Sequence, residues 1–156
     1  MNTATLELPL AFESDEDSLH AHTAKLLGLK AVLSEVNLIE RLEKGLKIST
    51  VHSLRVRANL TDAETYKLIA PRRTLNRREG SGQLLSTEEA DKAVRVARVI
   101  ARAQQVFAGK HAYVAAWLRE PKSSLGDRTP LQLLATESGA LVVEEQLIGI
   151  EHGMFA

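Results

Sequence analysis

Apolar residues recur at helical spacing along most of the chain while period-two alternation is scarce, so the pattern predicts an all-α fold. Leu33, Val36, Ile39 and Leu42 fall at three-residue steps and predict an amphipathic helix over 34–44, stopped by Gly45. Ser49 opens a second helix over 49–58 with Val51, Leu54 and Ala58 on its inner side and Arg55 and Arg57 elsewhere. Thr61, followed by Asp62 and Glu64, is a helix start signal for 62–69, which places Ala63, Tyr66 and Ile69 on one face. Pro71 and Gly80 frame a short helix over 71–79 whose only apolar anchor is Leu75. Ser86 or Thr87 caps a long helix over 87–107. Its face of Val94, Ala97, Ile100, Ala101, Ala103, Val106 and Phe107 is wide enough to touch both halves of the protein as a connecting spine.

The C-terminal third carries denser punctuation. Gly109 ends the spine, and Tyr113 and Trp117 lie one turn apart on a helix over 111–119 that Pro121 cannot continue. Gly126 offers a positive-φ turn position, and Thr129 with Pro130 reads as an N-cap followed by a first helical residue, opening 130–136. A last helix over 141–151 presents Val142, Val143, Leu147 and Ile150 as its apolar positions. As the sole Trp of a chain only 4% aromatic, Trp117 is expected to anchor a small C-terminal core over Leu131, Leu133 and Leu134. At the other end, residues 1–18, with an apolar patch of Leu6, Leu8, Leu10 and Phe12, read as a mobile arm or as one ordered only by a partner chain. Ser18 is placed to cap a short helix carrying Ala24, Leu26, Leu27 and Leu29. The implied organisation is an arm and short helix over 1–30, a first helical domain over 31–108 and a second over 109–156.

Charge sharpens this picture. The chain is neutral overall, yet residues 46–79 carry a net +5, between a net −4 over 1–45 and a net −3 over 121–156. A basic middle between acidic ends points to a nucleic-acid face flanked by segments with other partners. The basic residues concentrate in Arg72, Arg73, Arg77 and Arg78, interspersed with polar Thr74 and Asn76, on the second of two short helices joined by a tight connection. That is the layout of a helix-turn-helix, whose second helix enters the major groove. Arg can pair bidentately with guanine and Asn with adenine, and either can hold phosphate, so these six are the DNA-binding candidates.

Trp117-Leu118, Pro121, Leu125-Gly126-x-x-Thr129-Pro130-Leu131-x-Leu133-Leu134, then Thr136-x-x-Gly139, an apolar helix and Ile150-x-His152-Gly153, resembles the Xre/MbcA/ParS antitoxins of RES-Xre toxin–antitoxin modules. The match covers roughly the last forty positions, and residues 45–107 bear a looser likeness to the Xre-like half of such proteins. Many relatives have Gly-Gly where this chain has Gly126-Asp127, and Asp also accepts turn conformations. The resemblance implies a C-terminal half that binds and neutralises a RES-domain, NAD-degrading toxin, and DNA binding that represses the operon. It further implies a homodimer within a larger complex. The toxin-binding candidates are Trp117, Glu144, Leu147, Ile150, Glu151, His152, Gly153 and Phe155, with the acidic tail reaching the toxin's NAD pocket. The competing possibility for the last helix is that Val143, Leu147 and Ile150 complete this protein's own core.

Other chemistry is poorly represented. The absence of cysteine excludes disulfides and Cys-ligated zinc, and His20 and His22 are spaced for different helix faces rather than for a shared metal. Gly80-Ser81-Gly82 lacks the third glycine of a dinucleotide fingerprint and follows no strand, and no phosphate loop is present. No cofactor or enzymatic activity is expected. No apolar run reaches the length of a membrane span and the acidic N-terminus lacks a signal-peptide pattern, so a cytoplasmic protein is expected. The alternative is a stand-alone helix-turn-helix transcription regulator whose C-terminal half dimerises or senses a ligand.

Overall fold

The structure, a computed structural model, describes residues 15–30 and 34–154, with the side chains of 15–18 outside the description. The expected arm with its patch Leu6 to Phe12, the Leu33 position, and the Phe155 site lie outside the described residues. Among the described residues the chain forms nine α-helices and no strand. These are α1 (Asp15–Leu26), α2 (Glu35–Lys44), α3 (Ile48–Arg57), α4 (Asp62–Leu68), α5 (Arg72–Gly80), α6 (Thr87–Val106), α7 (His111–Arg119), α8 (Pro130–Leu133) and α9 (Glu137–Glu151). A short 3₁₀ turn, Ser123–Leu125, precedes α8.

The polar residues at helix starts act as the sequence suggests. Ser34, Thr61, Ser86, Thr129 and Thr136 each accept a hydrogen bond from a first-turn N–H. At Thr61, Ser86 and Thr129 the side chain three residues on (Glu64, Glu89 and Gln132) returns a bond to the cap, which satisfies two orphan donors reciprocally. Pro130 sits just inside α8. Gly126 and Asp127 both adopt positive φ, 65° and 58°, so the aspartate takes the turn conformation that glycine offers more cheaply.

Helix α6 is the spine. Ala93, Val96, Ala97, Val99, Ile100, Ala101 and Ala103 are sealed from solvent along it, and α1, α2, α3, α4, α7 and α9 all pack against it. Its run of alanines lets neighbouring helices approach closely, and buried residues from Leu19 to Leu147 form one continuous cluster around it. The N-terminal helix lies along α6 instead of standing apart, with Leu19, Ala24, Leu26 and Leu27 in that cluster.

Several expectations need correction. Helix α1 starts at Asp15, ahead of Ser18, and ends at Leu26, so Leu29 follows the helix while still packing on the core. In α2 the inward positions are Leu38 and Leu42, whereas Val36 and Ile39 are exposed: a strict three-residue step drifts off a face that repeats every 3.6 residues. In α4 the buried residues are Thr65 and Leu68, followed by Ile69, and Ala63 faces solvent. Pro71 is the N-cap of α5 and not its first residue, with ψ of 146°. Lys47, rather than Ser49, precedes the first residue of α3. The helix expected over 130–136 ends at Leu133, and α9 begins at Glu137, four residues before the expected start.

That last difference has a steric cause. The Thr136 hydroxyl accepts from Gly139 N–H at 3.0 Å, so the Thr-x-x-Gly stretch is the first turn of a helix instead of a loop. A Cβ placed on Gly139 would lie 2.1 Å from the Leu133 carbonyl oxygen. Only glycine lets α9 start this close beneath the end of α8.

Candidate functional sites on α5 and the C-terminal face

Helices α4 and α5 are joined through Ile69, Ala70 and Pro71, and α5 is fixed by one buried apolar side chain, Leu75. Around that anchor Arg72, Arg73, Asn76 and Arg77 are exposed, and Thr74 is half-buried. None of the three exposed arginines forms an ion pair with a described residue, so their donors are available to an external acceptor. Pro71 supplies no side-chain cap, which leaves first-turn N–H groups of α5 without an acceptor. All six DNA-binding candidates therefore lie on one helix, four of them exposed and Thr74 half-buried.

The sixth is differently employed. Arg78 Nε donates to Glu89 at 2.9 Å and its Nη1 donates to the Leu84 carbonyl, in a site where both charged side chains are largely buried. It fastens α5 to the first turn of α6 and does not share the outward face of Arg73 and Arg77. Glu89 is also the capping residue for Ser86, a dual role that a list of basic residues cannot reveal. Sequence reasoning also missed His52 on α3, whose Nε2 lies 3.3 Å from Glu79 near the end of α5.

In the C-terminal region, Trp117 is 7% exposed, its ring tilted against Phe107 at 5.5 Å, with Lys122 Nζ above it at 5.5 Å. Phe107 also meets Tyr113 edge-on at 4.9 Å. These rings and Ile150 line an open hollow of about 320 Å³.

The toxin-binding candidates divide. Leu147 is 0% exposed in this protein's own core, and Val143 is equally sealed, so the self-packing alternative holds for both. Ile150 packs partly on the same core. Glu144 accepts from Arg98 Nε at 2.7 Å and is half-buried. Glu151, His152 and Gly153 are exposed, beyond the last turn that touches the core.

What the sequence reading overlooked is the outer strip of α9. Leu141 and Ile148, spaced seven apart, are 51% and 42% exposed, with Glu145 between them and His152 one turn further on. Val142 and Met154 add to this apolar surface. The signal was present: α9 carries apolar residues on more sides than one core contact needs, and a helix apolar on several sides requires cover from more than its own domain.

Comparison with known proteins bears on both surfaces. Residues 38–98 match the family described as the Antitoxin Xre-like helix-turn-helix domain, and residues 102–153 match the Antitoxin Xre/MbcA/ParS C-terminal toxin-binding domain. The chain is 31% identical over 131 residues to Antitoxin Xre of Yersinia enterocolitica, covering 83% of this chain and 88% of that one. It is 32% identical over 141 residues to Antitoxin Xre of Pseudomonas putida, covering 88% and 87%. The chain belongs to the Xre antitoxin family. A more partial likeness, 31% over 91 residues and 53% of this chain, is to a protein named Prs ADP-ribosylating antitoxin from a Sphingobium species.

In this Xre antitoxin the helix-turn-helix and toxin-binding regions are tied together by ion pairs. Arg95 and Arg98 of α6 hold Glu137 at 2.9 and 3.0 Å, and Arg98 also holds Glu144. Burial pushes the Glu137 carboxyl up, but hydrogen bonds and charge from the two arginines outweigh it and hold the group below its ordinary value. Burial likewise works against charge on Arg98, and its bonds to Glu144 and Glu137 reverse the sign, raising its pKa. No helix among the described residues is long and apolar enough to cross a membrane, and no cluster of His, Asp or Glu there could hold a metal ion.

Proposed function

We propose that this antitoxin neutralises an NAD-degrading RES-domain toxin by direct contact and represses its own operon as a cytoplasmic homodimer. The observation that carries the toxin half is the exposed strip Leu141, Glu145, Ile148 and His152, continuing into Glu151 and Gly153, within the region matched by the toxin-binding family, with exposed Met154 just beyond it. A site that accepts NAD must accommodate a pyrophosphate and so presents cations or free N–H groups. An acidic, apolar helix end complements such a mouth: its apolar residues bury against the toxin while Glu151 and the tail exclude substrate. The operator half rests on Arg72, Arg73, Asn76 and Arg77, with Thr74 at the edge and Arg78 holding the helix in place. The functional division follows residues 31–108 for DNA and 109–156 for toxin.

Co-expression with a RES-domain protein encoded beside it tests this reading. The two chains should co-purify and intracellular NAD should stay at its uninduced level. Separate elution, with NAD falling as it does without the antitoxin, would overturn the toxin assignment and favour a stand-alone regulator.

A further inference from the structure

The ends of α1 and α2 and one side of α3 enclose a cleft of about 510 Å³ whose charged lining among the described residues is entirely basic: Arg41, Lys44, Lys47 and Arg57. Arg41 donates to the Lys30 carbonyl and Arg57 to the Lys25 carbonyl, each at 2.9 Å, contacts that position the guanidinium groups without neutralising them. Lys44 and Lys47 have no ion-pair partner among the described residues. Four like charges around one hollow repel one another, and a bound anion relieves that repulsion.

A second observation points the same way. Thr50 is 4% exposed and lines the cleft, yet its hydroxyl has no hydrogen-bond partner among the described residues. Thr23 and Thr65 are just as buried, and their hydroxyls donate to the carbonyls of Leu19 and Thr61. Among the described residues the fully buried side-chain polar atom left without a partner is His20 Nδ1, so the Thr50 hydroxyl keeps access to the cleft, where it can donate to a ligand oxygen. Ser49 and the side-chain-uncapped start of α3 at Lys47 add donors to the same wall.

We propose that this cleft binds phosphate groups, held by Lys44, Lys47 and the Thr50 hydroxyl between Arg41 and Arg57. It is separate from the α5 surface. His52, the α3 residue that meets the end of α5, is rotated roughly 100° about the helix axis from the middle of the wall formed by Ser49, Ser53 and Arg57. The same chemistry suits a small polyphosphate or phosphates of DNA flanking the segment contacted by α5.

Calorimetric titration of the full-length chain with inorganic tripolyphosphate, alongside DNA affinity measured against salt, distinguishes the two sources. The variants are Thr50→Val and the double Lys44→Gln/Lys47→Gln. If the ligand is a small polyphosphate, tripolyphosphate binds the wild type and the double variant weakens it by about tenfold or more, with the DNA salt slope unchanged. If it is flanking DNA, tripolyphosphate gives no heat and the slope shrinks by about 2 per protomer, close to 0.9 for each lost phosphate contact. In either case Thr50→Val weakens the ligand several-fold while melting no lower than wild type, because its hydroxyl has no intramolecular bond to lose. Variants that match wild type in both titrations would overturn the proposal. Arg77→Ala, measured in parallel, reports on the α5 assignment independently of the cleft.

Discussion

Arg119 of α7 grips Glu64 of α4 with two parallel hydrogen bonds, Nε to Oε1 and Nη2 to Oε2, both 2.8 Å long. The same guanidinium donates to the carbonyls of Ala115 and Asn59, so the toxin-binding half holds both the helix-turn-helix and the turn before it. Glu64 is also the capping-box partner of Thr61, which makes one carboxylate responsible for the start of α4 and for the junction.

Replacing Arg119 by alanine should therefore lower stability by about 1 to 3 kcal/mol, the range for a charge-assisted bidentate pair that is partly shielded from water. Chemical denaturation of Arg119→Ala, Glu64→Gln and the double variant measures it. Additive losses would show that the pair is not coupled.

Acid should weaken the same contacts. Burial acts to raise the Glu64 carboxyl, but Arg119 and the Thr61 backbone outweigh it and hold the group below 4.5, as the arginines of α6 hold Glu137. A carboxylate with a lowered folded pKa contributes its full stabilisation above the unfolded value and loses it as pH falls through the folded value. Melting temperature should fall below about pH 4.5, and the fall should be shallower in Glu64→Gln. An identical profile in the two proteins would count against Glu64.

On α5, Arg77→Ala should weaken specific DNA binding by about 1 to 3 kcal/mol if it reads a base edge. Arg78→Ala should instead lower thermal stability, since it frees the largely buried Glu89. A dimer holding roughly 6 to 10 phosphates should show a log–log salt slope of about −5 to −9. Electrophoretic mobility shifts across a salt series check this, and full affinity in an Arg72, Arg73 and Arg77 triple alanine variant would remove α5 from the interface.

Trp117→Ala should destabilise the fold by about 3 to 5 kcal/mol through lost burial and a cavity beside Phe107. Gly139→Ala should be damaging for a different reason, because the added methyl meets the backbone of Leu133, which cannot rotate away. Thermal melts settle both; a Gly139→Ala protein melting like wild type would mean the α8–α9 junction relaxes freely.

Removing Glu151 to Ala156 should leave folding and DNA binding intact and abolish NAD protection, since Glu151 to Met154 are exposed beyond the core-facing positions of α9. Protection that survives the truncation would shift inhibition to the strip of Leu141 and Ile148.

The helices were legible where a cap and a breaker stood at their ends, as at Thr61, Ser86, Thr129 and Gly109, because those signals act within one turn. The α9 start was not, since Gly139 reads as a loop residue until Leu133 is seen above it. Nor was the inward commitment of Leu147, Glu144 and Arg78. Each is decided by a side chain distant in the sequence, and an apolar or charged letter alone does not say which of two surfaces claims it.

The two family matches part company between residues 98 and 102, in the middle of the unbroken helix α6. Swapping toxin specificity between relatives by joining chains there would place Arg98 from one parent against Glu137 and Glu144 from another, and would cut a wall that both halves lean on. A working chimaera needs its seam beyond α6, near Gly109, with the α9-facing residues of the spine carried across as well; the heads of this protein are interchangeable only together with a share of the shaft.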